Sequence, residues 1–77
     1  MVTTIDGMPR GESGMILDVA GGWGVVRRLE SLGLRPGKVI TKVSSQFMAG
    51  PVTVIIDGRQ IAMGRGIASK VRVEVGT

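Results

Sequence analysis

Apolar and polar residues alternate along most of this chain with the period of two that marks strands, and one stretch departs from it. Met15, Leu17 and Val19 alternate with Ile16 and Asp18. Val39, Thr41 and Val43 fall on one face of a second strand over 38–44, with Ile40 and Lys42 on the other. Val52 to Ile56 is rich in β-branched residues, and Ile61 and Met63 are the inward candidates of the returning strand 59–63. Between those two, Asp57-Gly58 predicts a type I′ hairpin turn. Pro51 suits the first position of its strand. Val71, Val73 and Val75 alternate with Arg72 and Glu74 in a closing strand.

The departure lies between the first two of these strands. Gly21, Gly22 and Gly24 break the pattern around Trp23, after which Val25, Leu29 and Leu32 recur at helical spacing. Arg27, Arg28, Glu30 and Ser31 fall largely on the opposite side. Gly33 stands where a helix end takes a residue tolerant of positive φ, so Leu34 can pack back on Leu29. Pro36-Gly37 keeps the helix from resuming. About two turns of helix are unstable alone in water, so this piece must rest on the strands. Residues 64–69 are too broken for a strand and too short for a long helix, which predicts a single 3₁₀ turn. Residues 1–10 are polar and turn-rich, with Ile5 and Met8 as anchors.

Five short strands, tight connections and one short helix after the first strand predict a mainly β fold, a small SH3-like, partly open barrel forming a single domain over 1–77. An OB-fold is the alternative, but its helix normally follows the third strand. The chain has no cysteine and no histidine, so neither a disulfide nor a Cys/His zinc site can reinforce so small a core. No apolar run approaches the ~18 residues of a membrane span, and a soluble, cytoplasmic protein is expected.

The same composition restricts the chemistry. Without histidine or cysteine the common nucleophile–base pairs cannot be assembled. The carboxylates Asp6, Glu12, Asp18, Glu30, Asp57 and Glu74 show no spacing that forces two of them together. The glycines around Trp23 lack the Gly-Lys-Ser/Thr that completes a phosphate loop. No catalytic residue, metal ligand or cofactor is therefore expected. A formal charge of +4 favours an anionic partner, and a small basic nucleic-acid-binding β-barrel is one reading. Against it, Trp23 and Phe47 are the only aromatic residues, too few for a stacking platform. Protein contact is the better account. Trp23 with Arg27 and Arg28 on the helix side, and Phe47-Met48 at a hairpin tip, are the candidate anchors. The alternative for Trp23, Phe47 and Met48 is that they fold inward and plug the barrel ends.

A family resemblance rests on Gly11-Glu12-Ser13-Gly14, the Gly21-Gly22 turn, and Leu29-Glu30-Ser31-Leu32-Gly33-Leu34-Arg35-Pro36-Gly37. The stretch from Ile61-Ala62-Met63-Gly64-Arg65-Gly66 to Ile67-Ala68-Ser69-Lys70-Val71 completes it. These motifs, in this order over about Ile5 to Val75, resemble the FeoA family of ferrous iron transport proteins. The resemblance implies an SH3-like fold and a cytoplasmic, non-enzymatic accessory role. It also implies a partner: FeoB, a membrane iron transporter with a cytoplasmic GTPase domain. The same barrel closes iron-dependent repressors of the diphtheria-toxin-repressor type. The absence of a preceding winged helix predicts a stand-alone protein, with a homo-oligomer as a further option.

Overall fold

The computed structural model describes residues 1–45 and 50–76. In chain order the elements are β1 (Val2–Thr4), β2 (Ser13–Val19), α1 (Trp23–Ser31), β3 (Val39–Ser45), β4 (Val52–Ile56), β5 (Arg59–Met63), α2 (Arg65–Ala68) and β6 (Val71–Val75). The strands form one antiparallel sheet in the order β1-β6-β2-β3-β4-β5. The mainly β, SH3-like fold expected from the alternation is present.

The five expected strands are joined by a sixth. β1 pairs Val2 with Glu74 and Thr4 with Arg72, so α1 follows the second strand of the chain rather than the first. Three residues are too few to show a period, which is why β1 leaves no alternation to read. Residues 65–68 close as α rather than 3₁₀: the Ala68 and Ser69 amides donate to the Gly64 and Arg65 carbonyls, each at 2.9 Å. That hydrogen-bond span is the i→i−4 of an α-helix.

The core is aliphatic. Val52, Val54 and Ile56 of β4 and Val71, Val73 and Val75 of β6 are buried in it together with Ile5, Met8 and Leu34. On β2 the buried side chain is Ile16, while Met15 turns outward; a bulge between Ile16 and Asp18 then resets the alternation. β3 buries Ile40 and Lys42 and exposes Val39. The Lys42 ammonium lies inside and donates to the carbonyls of Asp6 at 2.9 Å and Met8 at 2.8 Å. Its own amide donates to Glu12 O, and its carbonyl accepts from the Gly11 amide. One residue thus holds both ends of the 5–12 connection on β3.

Two turns follow from local chemistry. Asp57 (φ 51°) and Gly58 (φ 77°) make the type I′ turn between β4 and β5. α1 ends in a Schellman motif: Gly33 (φ 92°) donates to Glu30 O and Leu34 to Leu29 O, both at 2.9 Å. Leu34 is thereby carried straight from the helix end into the core, where it is fully buried.

Candidate functional site

The C-terminus of α1 has the Schellman closure and a hydrogen bond from Arg59 to Leu32 O, whereas its N-terminus begins at Gly22 with no side-chain cap. Leu29 is the helix's buried residue, with Val25 packed at the margin of the core. Between α1 and the junction of β5 with α2 a cleft of about 470 Å³ remains open. Val25, Arg28, Leu29 and Leu32 form one wall; Ala62, Met63, Gly64 and Ile67 form the other. Arg28 is the charged side chain among these residues, and the rest of the lining is aliphatic or glycine.

Trp23 precedes the cleft-lining Gly24 and is 74 % exposed, so it does not plug the barrel. Arg27 and Arg28 are exposed, and neither joins an ion pair among the described residues. All three residues lie on α1, and of them Arg28 lines the cleft. Phe47 and Met48 lie outside the described residues. The second wall was missed by sequence reasoning: Ala62 and Met63 read as ordinary strand, and Ile67 sits in a stretch read as a turn.

Other charges are occupied elsewhere. Hydrogen bonds from Arg72, at 2.8 Å from Nε, hold the Asp18 carboxyl below its usual range and raise the guanidinium in turn. Lys38 pairs with Asp57, and Arg65 with Asp6. Among the described residues no three His, Cys, Asp or Glu side chains are grouped as metal ligands would be. The cleft offers apolar surface and one cation.

A family model described as the FeoA domain matches residues 3–75. The chain belongs to the FeoA family. Among relatives of this FeoA-family chain is a protein of Methanocaldococcus jannaschii, provisionally named Fe(2+) transport protein A. It is 36 % identical over 64 residues, covering 83 % of this chain and 76 % of the relative. The crystal structure of an iron uptake regulatory protein, FeoA, superposes with a TM-score of 0.88 at 32 % identity, covering 96 % of this chain and 97 % of that one. A manganese-dependent transcriptional repressor matches with a TM-score of 0.89 over 97 % of this chain and 42 % of its own; at 17 % identity that likeness is one of fold. Membership of the FeoA family makes this a ferrous iron transport-associated protein. Among the described residues no helix is long and apolar enough to cross a membrane.

Proposed function

We propose that this FeoA-family chain is a non-enzymatic, cytoplasmic accessory protein that docks on the cytoplasmic GTPase-bearing part of a FeoB-type iron transporter. The observation that carries the reading is the placement of Trp23. An indole 74 % exposed next to a residue lining an apolar cleft, with two arginines on the same helix that join no ion pair among the described residues, is the composition of an interface anchor rather than of a core. Family membership supports this choice of partner. The lack of a grouped carboxylate or ligand set among the described residues supports a role through contact.

Calorimetric titration of the purified chain into the cytoplasmic part of the transporter, with and without guanine nucleotide, tests this. Saturable binding is expected. Trp23→Ala should weaken it by about 30-fold, the equivalent of ~2 kcal/mol at an anchor residue. Absence of binding at tens of micromolar under both nucleotide conditions would overturn the reading. Because Trp23 is exposed, its variant should melt with the parent chain, which separates lost contact from lost fold.

A further inference from the structure

The exposed apolar side chains are not scattered over the molecule. Of the large ones among the described residues, Trp23 and Leu32 belong to α1 and its C-cap, whereas Met1, Val2, Met15, Val39 and Val43 belong to β1, β2 and β3 or to the residue before β1. Strand register gathers three of them. Val2 stands opposite Glu74, Glu74 opposite Met15, and Met15 opposite Val39, so one row of four side chains crosses β1, β6, β2 and β3. The neighbouring residues Ile16 and Val73 are buried, which turns this row outward. Its three apolar members are each at least 42 % exposed. At ~4.8 Å per strand the row is about 14 Å long.

The polar side chains on this face already have partners within the chain. Glu74 accepts from the Met1 ammonium at 2.7 Å. Ser13 and Thr41, the next pair along β2 and β3, are hydrogen-bonded to each other at 2.7 Å. On the row's other side Arg72 donates two hydrogen bonds to Asp18. Covering satisfied groups costs far less than covering bare ones. The charges here also cancel, whereas Arg27 and Arg28 on α1 join no ion pair among the described residues. A chain with a formal charge of +4 repels its own copies, most strongly where cations stand uncompensated. On the outer sheet face that repulsion is weakest, and nothing there selects a partner of opposite charge. We infer that the outer face of β1, β6, β2 and β3 is where a second copy of this chain packs, Val2, Met15 and Val39 of one copy against the same row of the other about a two-fold axis. A standard interface takes ~800 Å² from each partner, and three aliphatic side chains on a molecule of 4542 Å² expose less than that. The dimer is therefore weak and reversible. It goes beyond the docking reading and does not depend on it, since α1 takes no part in it.

Sedimentation equilibrium of the full chain from about 10 μM to about 1 mM tests this, with backbone-amide NMR at both ends of the range. A monomer–dimer equilibrium with a Kd on the order of 10⁻⁴ M is expected, with concentration-dependent shifts at Val2, Met15, Val39 and Glu74. Val39→Lys and Met15→Lys each place a like charge on both copies and should weaken the dimer by about tenfold or more. Added salt screens the net charge and should strengthen the parent's association. Association weakened by salt would mean ion pairing at some other face and overturns the inference. A monomer throughout the range, shifts confined to α1 or β5, or an undiminished dimer in both variants overturns it equally. A monomeric parent whose Val39→Lys variant loses binding to the transporter's cytoplasmic part would give the face to that partner and rule out the second copy. Met15 and Val39 are exposed, so both variants should melt with the parent, which separates lost contact from lost fold.

Discussion

Replacing Leu34 by alanine is expected to lower the stability of this chain by about 3 kcal/mol, as large-to-small core changes do. Leu34 has no accessible surface and stands directly after the glycine that ends α1, so its side chain ties the helix end to the barrel. Removing it opens a cavity and loosens the Schellman closure together, since that motif is reinforced by just this apolar contact. For a domain of this size ~3 kcal/mol corresponds to roughly 12–24 °C in Tm. Scanning calorimetry reads it directly. A fall below ~1 kcal/mol would mean that α1 can be released from the core without loss. The exposed Leu32 offers the comparison, because it is 37 % accessible and its truncation removes far less buried surface.

The second large effect belongs to Lys42. Lys42→Met keeps the length and the apolar stem but leaves the buried Met8 carbonyl without its donor. An unsatisfied buried acceptor costs ~1–3 kcal/mol, and about 2 kcal/mol is expected from chemical denaturation of the variant. The pH dependence gives an independent check. Burial pushes the Lys42 ammonium below its ordinary 10.5; Asp6 opposes the shift and Arg65 adds to it. Between the depressed value and 10.5 the unfolded chain holds more protons than the folded one, so this group's contribution to stability rises with pH across that window. The neutral amine still has two hydrogens for the two carbonyls it serves. The difference in stability between the parent chain and Lys42→Met should therefore widen in favour of the parent on going into that alkaline range. A difference that narrows there would contradict a buried ammonium at this position.

What could be read from the sequence was whatever a few neighbouring residues decide among themselves. The stop at Gly33-Leu34-Arg35-Pro36-Gly37 is local: the αL glycine and the proline-glycine turn need no distant partner, and both are found where expected. Asp57-Gly58 is equally local. Trp23, which the sequence left open between an exposed anchor and an inward plug, stands exposed at the first position of α1. The family resemblance rested on the same punctuation and is matched over residues 3–75.

The remainder depended on tertiary partners. Alternation in β2 and β3 was visible, but it does not say which face is inward. Met15 is apolar and exposed, Lys42 is charged and buried, and the carbonyls of the 5–12 connection, with the Asp6 charge, make the latter tolerable. The cleft was illegible for the same reason. Val25 and Ile67 both line it although no local pattern links them, and Gly64 of its second wall reads as a mere break.

The pairing of β1 has a further consequence for how the molecule is made. Among the described strands β1 has β6 as its neighbour and no other, and the Met1 ammonium donates to Glu74, 73 positions away. β1 therefore stays without a strand partner until β6 has been made. This edge of the sheet rests on the contact that spans the longest stretch of chain, so it is the edge that loop-closure entropy delays most.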